Sequence, residues 1–190
     1  MHKQVSFDDE MLILVNPKDE EIRWEDKARC HLGDGILHRA FSIFIFNDNN
    51  ELLIQKRSDQ KLLWPLFWSN SCCSHPRKGE KIESAAQRRM EEELGIKTRL
   101  KYLYKFQYQA AFKDVGSENE LCSVFIGKSD GQVQVNKNEI AEWKYLKAEN
   151  LDTELTENPG SYTPWFKMEW ARLRNTYWQE IKQLQTNSSP

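Results

Sequence analysis

The sequence predicts an α/β (α+β) fold, a mixed β-sheet sandwiched between helices, and three stretches carry that expectation. Phe41-Ser42-Ile43-Phe44-Ile45-Phe46 is too apolar for a strand with one wet face, so both of its faces are expected to be covered. Ile82, Ala86 and Met90 recur every four residues, with Ala85 and Leu94 beside them, which predicts a helix from Glu80 to Leu94 with one apolar face. Gly95 stands where a left-handed residue closes such a helix. Thr163-Pro164 reads as a cap followed by proline at the first helical position. Phe166, Trp170, Leu173, Tyr177, Ile181 and Leu184 then fall at spacings of three or four, the stripe of a second amphipathic helix.

The remaining elements follow in chain order. Glu10 to Val15 reads as a first strand, and Asn16-Pro17-Lys18-Asp19-Glu20 as a turn. Trp24 to Ala28 is expected to form a short helix. Asn47-Asp48-Asn49-Asn50 turns the apolar strand into a hairpin partner, Glu51 to Arg57. Trp64 to Trp68 reads as extended chain broken by Pro65. Leu100 to Phe112 is a long strand carrying Tyr102, Tyr104, Phe106 and Tyr108; Leu121 to Gly127, Gln132 to Val135 and Trp143 to Leu146 complete the strands. No internal repeat or linker interrupts the chain, so residues 1–190 are expected to form one domain with an N-terminal extension, a C-terminal helix and a flexible tail from about residue 186.

Composition narrows the class. The 190 residues suffice for one sizeable core, with 39% hydrophobic and 12% aromatic residues. Seven tryptophans suggest an enclosed apolar cavity or an aromatic core. A formal charge of −2 gives no global field toward nucleic acid. No apolar run reaches the roughly 18 residues a membrane span needs, and Met1-His2-Lys3-Gln4 has no apolar signal core. Cys30, Cys72, Cys73 and Cys122 show no disulfide pattern, and adjacent side chains in extended chain diverge, so free thiols in a reducing cytoplasmic compartment are expected. A monomer or weak dimer is expected.

The chemistry concentrates in a few places. Arg88–Glu92 and Arg89–Glu93 can pair one turn apart, each contributing roughly 0.2–0.5 kcal/mol. Yet Glu91-Glu92-Glu93 in the last turn oppose the helix macrodipole, which a bound cation would offset. His31 and His38 flank a Gly33-Asp34-Gly35 turn that would bring the imidazoles together, and His75 lies further on. Glu118 and Glu120 share one face of extended chain. Three nitrogens and two carboxylates suit a divalent ion of intermediate hardness, Mn²⁺, Mg²⁺ or Zn²⁺. Whether the five converge is left open by the sequence, and a charged strand start with structural histidines is the simpler alternative.

Glu80, Arg88 and Glu92-Glu93-Leu94-Gly95-Ile96 resemble the Nudix box, with Ser74 where that box opens on glycine and Arg89 where it has a glutamate. Both departures point to one branch. Asn70-Ser71-Cys72-Cys73-Ser74-His75-Pro76, Arg88-Arg89-Met90-Glu91-Glu92-Glu93-Leu94-Gly95, Phe106-Gln107-Tyr108 and Glu118-Asn119-Glu120-Leu121-Cys122 together resemble type 1 isopentenyl-diphosphate delta-isomerases. The resemblance runs from the His31–His38 stretch to Thr163-Pro164-Trp165. It implies a Nudix-like sheet and an allylic isomerisation, in which one proton is added to an unactivated double bond and another is removed from the neighbouring carbon. It implies Cys73, Glu120 and Tyr108 as catalytic residues, and His31, His38, His75, Glu118 and Glu120 as ligands of one divalent metal. It implies Glu93 as the carboxylate placing a second Mg²⁺ on the diphosphate, Lys27, Arg57, Lys61 and Arg89 as cations around it, and Trp165 as a wall for the cationic intermediate.

The aromatic excess suits that chemistry, because aromatic faces stabilise a cation without attacking it. A small-molecule diphosphate is the partner implied, with no nucleic acid and no membrane. No flavin is expected, since no glycine-rich strand–helix turn is present. The alternatives are a Nudix diphosphohydrolase, which Arg89 argues against, and a non-enzymatic metal-binding domain, which leaves Cys73 without a role.

Overall fold

A computed structural model describes residues 4–184. The chain opens with a hairpin, β1 (Met11–Val15) against β2 (Glu21–Asp26), with Met11 opposite Asp26. A single helical turn, α1 (Lys27–Cys30), follows. Then come β3 (His38–Phe46) and β4 (Leu52–Arg57), and two short strands, β5 (Trp68–Ser69) and β6 (Cys72–Ser74). The long helix α2 (Ile82–Leu94) precedes β7 (Leu100–Phe112), β8 (Gly116–Lys128) and β9 (Ile140–Leu146). The chain ends in α3 (Ala148–Glu157), α4 (Pro164–Arg172), a stretch of π-helix (Leu173–Tyr177) and α5 (Trp178–Lys182).

β3 organises the sheet. It pairs with β8 in parallel along its whole length, His38 opposite Glu120 through Phe46 opposite Lys128. Its other edge is shared by β1 at His38, β6 from Phe41 to Ile43 and β4 at Phe46. β7 lies antiparallel on β8, and β5 and β9 flank β4. A strand so enclosed has to be apolar on both faces, and Ala40 to Phe46 are all buried. Alternation divides the core in two. Phe41, Ile43 and Ile45 pack with Ala85, Ala86, Met90 and Leu94 of α2. Ala40, Phe44 and Phe46 pack with Trp165, Phe166 and Trp170 of α4. Each fully buried Phe or Ile contributes roughly 1.5–3 kcal/mol. Gly95 closes α2 at φ 67°, the left-handed conformation that glycine adopts without steric cost. Among the described residues no helix is long and apolar enough to cross a membrane.

Several expectations change. Trp24 belongs to β2 and the helix is only Lys27–Cys30, because the backbone of Glu21–Asp26 pairs with β1. α2 begins at Ile82. Trp64 and Leu66 are not extended: both have positive φ, 46° and 62°, within turns around Pro65. Gln132–Val135 finds no ladder partner and is irregular. β8 begins at Gly116, which places Glu118 and Glu120 inside a strand. β6 and α3 were not expected: β6 has three residues, and α3 buries only Ala148 and Leu151, too few for a stripe. The tail from about 186 lies outside the described residues.

Candidate active site

Strand register assembles the site. Parallel pairing sets His38 beside Glu120. β6 on the other edge of β3 brings Cys73 opposite Ser42, and the chain reaches His75 two residues later. His31 follows α1, where Gly116 lets β8 approach. A Cβ at that glycine would lie 2.2 Å from the His31 carbonyl oxygen. Ser117 N donates to the same carbonyl at 2.9 Å, fixing Glu118 near the His31 ring.

One ligand atom each from His31, His38, His75, Glu118 and Glu120 lies within 4.8 Å of all the others. His31 Nδ1 and His38 Nδ1 bond the Lys27 and Ile36 carbonyls at 2.7 Å, so each of these rings turns Nε2 toward the cluster. His31 Nε2 is 2.9 Å from Glu118 Oε2, and His75 Nε2 is 2.8 Å from Glu120 Oε1. His38 Nε2 is buried without a hydrogen-bond partner. Burial opposes charge at His31, but the Glu118 carboxylate and its hydrogen bond outweigh it and raise the ring to about 9. Burial and the neighbouring His38 and His31 hold His75 well below the ordinary range. Burial would raise Glu118 and Glu120, yet the facing imidazoles bring both below the ordinary carboxylate value. Three crowded rings cannot all be protonated, and an orphaned imidazole nitrogen beside two ionised carboxylates fits a divalent cation.

A cavity of about 550 Å³ adjoins this cluster. Cys73 lines it; Cys72, its neighbour, is buried on the opposite face among the α2 contacts. Burial pushes the Cys73 thiol up to about 12 against the pull of Arg57. Tyr108 donates its hydroxyl to Glu120 Oε2 at 2.6 Å. Trp165 walls the cavity, with Trp64 edge-on at 5.3 Å and Tyr108 at 6.0 Å. Trp165 Nε1 donates to Asn70 Oδ1 at 3.3 Å.

Lys27, Arg57, Lys61 and Arg89 all line the cavity, and each is engaged. Lys27 bonds the Ser6 hydroxyl, and Lys61 pairs with Glu139. Arg89 donates to the Val5 carbonyl at 2.5 Å and to Glu93 Oε1 at 2.7 Å, and lies 3.3 Å from Glu139 Oε2. Burial and the Lys61 charge lower the Lys27 pKa. Arg57 donates to the Trp64 and Leu63 carbonyls at 3.1 and 2.9 Å and reaches Cys73 Sγ at 3.8 Å. Glu93 lies behind Arg89, outside the five-residue cluster; burial raises its carboxyl although Arg89 pulls the other way.

Sequence reasoning missed Glu139, which sits in an irregular turn and gains meaning only from Lys61 and Arg89. It also gave no role to Trp64, to Ser6 or to Asn70, although Asn70 opens the stretch that carries Cys73 and His75. No spacing signal marked any of them.

The sequence matches the NUDIX domain over residues 36–166. Isopentenyl-diphosphate Delta-isomerase 1 of Photorhabdus laumondii is 43% identical over 174 residues, covering 90% of this chain and 99% of that protein. This chain belongs to the isopentenyl-diphosphate delta-isomerase family. A second family member, from Schizosaccharomyces pombe, is 32% identical over 201 residues, covering 94% of this chain and 88% of its own. Among solved structures, a Deinococcus radiodurans protein superposes with a TM-score of 0.65 at 24% identity, over 78% of this chain and 90% of that one. That likeness supports the fold alone.

Proposed function

We propose that this protein interconverts isopentenyl diphosphate and dimethylallyl diphosphate by a proton shift across the allylic unit. One observation carries the reading: a thiol, Cys73, and a carboxylate–phenol pair, Glu120 with Tyr108, border one tryptophan-walled cavity. Adding a proton at the terminal carbon and removing one from the carbon beyond the branch point moves the double bond with no net loss of atoms. Cys73 and Glu120 are the two proton-transferring groups, and the one that gives in one direction takes in the other. A divalent ion on His31, His38, His75, Glu118 and Glu120 (Mn²⁺, Mg²⁺ or Zn²⁺) would fix Glu120 and lower its basicity. Trp165 excludes water and presents its ring to the developing positive charge, with Trp64 packed against it.

Lys27, Arg57, Lys61 and Arg89 supply the cations for the diphosphate, whose binding energy encloses the reacting carbons. Glu93 would be free to hold a diphosphate-bound Mg²⁺ if Arg89 turned from it to the phosphates. Glu93→Gln is therefore expected to weaken activity more at low than at high Mg²⁺, and an equal loss at all concentrations would restrict Glu93 to its pairing with Arg89. We read the protein as a cytoplasmic monomer or weak dimer without nucleic-acid partners, supported by its charge of −2 and free thiols.

The decisive assay incubates the protein with isopentenyl diphosphate and Mg²⁺ in deuterated water. Dimethylallyl diphosphate carrying deuterium is expected. Release of phosphate instead would favour a diphosphohydrolase.

A further inference from the structure

Glu169 has no place in the chemistry described so far, yet it is one of the most deeply enclosed carboxyl groups in the protein, with 0% exposure. It lies on α4 one turn after Trp165, so both project from one helix face toward the sheet. Cys122 Sγ donates to Glu169 Oε1 at 3.6 Å and also lies 3.5 Å from Ser42 Oγ, which places the Ser42 hydroxyl beside the same carboxyl. Ser42 is the cross-strand partner of Cys73, and Cys122 is two residues along β8 from Glu120. Glu169 thus rests on β8, which carries Glu120, and on β3, against which β6 sets Cys73.

Its other oxygen, Oε2, is buried without a partner, and among the described residues no ion pair reaches the carboxyl. The groups facing it are Ser42 from β3, Cys122 and the Glu120 charge from β8, and the Cys73 thiol from β6. From β7 comes Tyr104, whose hydroxyl is also unpartnered. Arg172, the adjacent cation on the same helix, is taken up over the Tyr104 ring at 3.8 Å. A carboxylate in such a place has to recruit water, whereas a neutral acid does not. Water behind the Trp165 wall is what a cationic intermediate cannot tolerate.

We propose, on the reading of the reaction given above, that Glu169 is a positioning residue: as a neutral acid it holds the Ser42–Cys122 row and keeps the wall behind Cys73 and Trp165 dry, and its ionisation turns the enzyme off at alkaline pH. Burial is the main cause of its raised pKa, about 8, with the Glu120 charge adding to it against the Ser42 and Cys122 hydrogen bonds. The linkage has a definite sign. A carboxyl whose folded pKa is raised must take up a proton on folding, so it destabilises the fold increasingly as pH rises from the ordinary carboxylate range to about 8, and no further above that.

The test compares wild type, Glu169→Gln and Glu169→Leu as full-length proteins loaded with metal. Leucine should lower kcat about tenfold or more at pH 6.5 with little change in KM, and glutamine, a neutral isostere, should recover most of that loss. The alkaline limb of kcat should move up by about one pH unit or more in Glu169→Gln. Separately from any turnover, the melting temperature of Glu169→Gln should exceed that of wild type by a margin that grows with pH through the same window. An unshifted alkaline limb in an active Glu169→Gln enzyme, or a melting difference independent of pH, would overturn the proposal. Loss of isomerisation by wild type at every pH would instead remove the reading on which it rests.

Discussion

At one end of the cavity three imidazoles and two carboxylates point ligand atoms at a common spot. At the other, Lys27, Lys61 and Arg89 each already grip a protein oxygen. The first end is under-satisfied, with a buried nitrogen of His38 lacking any hydrogen-bond partner. The second is internally satisfied and partly neutralised: Glu93 and Glu139 face Arg89 and Lys61, and the Val5 carbonyl caps a second Arg89 nitrogen. On the proposed reading one end gains a cation, whereas the other exchanges partners when a diphosphate binds. Binding at the cation end is therefore worth less than four free cations would suggest, because protein hydrogen bonds are given up for each one formed.

The largest effects should come where the metal end meets the thiol. Glu120→Gln takes away the charge that faces His75 and, on the proposed reading, a proton-transferring group and a ligand at once, so turnover is expected to fall by about 10³-fold or more. Cys73→Ala should do the same with the far-ultraviolet circular dichroism unchanged, while Cys72→Ala, on the other face of β6, should keep activity within a few-fold. If Cys72→Ala proves the more damaging, the two thiols have been assigned the wrong way round. Next in size, His38→Ala should lose bound metal in an elemental analysis and lose the melting-temperature drop that a chelator produces in the wild type.

Arg57 sharpens the contrast, because its fork holds the Leu63 and Trp64 carbonyls and touches Cys73. Arg57→Lys keeps a charge but loses the fork, so kcat should fall by roughly tenfold along with the expected rise in KM. A pure KM effect would restrict Arg57 to the phosphates. Lys61→Gln should mainly raise KM, and adding Glu139→Gln should recover part of it, since Lys61 then leaves no buried carboxylate unpaired.

The smallest effect lies outside both ends. Arg88 donates to both oxygens of Glu80 at 2.8 Å, and although burial works against it, this pairing brings the carboxyl below its ordinary value. A depressed carboxyl contributes stability that is present above its unfolded pKa and lost as pH falls through the folded one. Glu80→Gln should accordingly narrow the gap between neutral and acid melting temperatures without touching KM.

The sequence made the site's chemistry more legible than its supports. Cys73, His75, Glu118 and Glu120 stand in the stretches that carry the family resemblance, and all line the cavity. The apolar run of β3 and the stripes of α2 and α4 were legible because burial on a face writes a period into the chain. What was hidden depends on partners distant in sequence. Strand β2 is held by hydrogen bonds to β1, and its exposed residues carry no strand pattern. Three residues of β6 become a strand only because β3 leaves that edge open. Trp64 and Leu66 adopt positive φ while Arg57 holds the carbonyls beside them, a constraint no local preference could signal. Glu139 is polar punctuation in the chain and a buried counter-ion in the fold.

The parallel pairing of β3 with β8 has a kinetic side. His38 and Glu120 become neighbours only when two strands separated by β4 to β7 and α2 have paired, which closes a long loop at an entropic cost. His31 and Glu118 wait on the same event, since Ser117 ties β8 to the His31 carbonyl. An unfolded chain offers these ligands scattered, so an ion added during refolding finds a complete set only after that closure. On the proposed metal reading, ion capture during refolding would report the closure of this long-range pairing, and its rate should be independent of ion concentration once the ion is in excess.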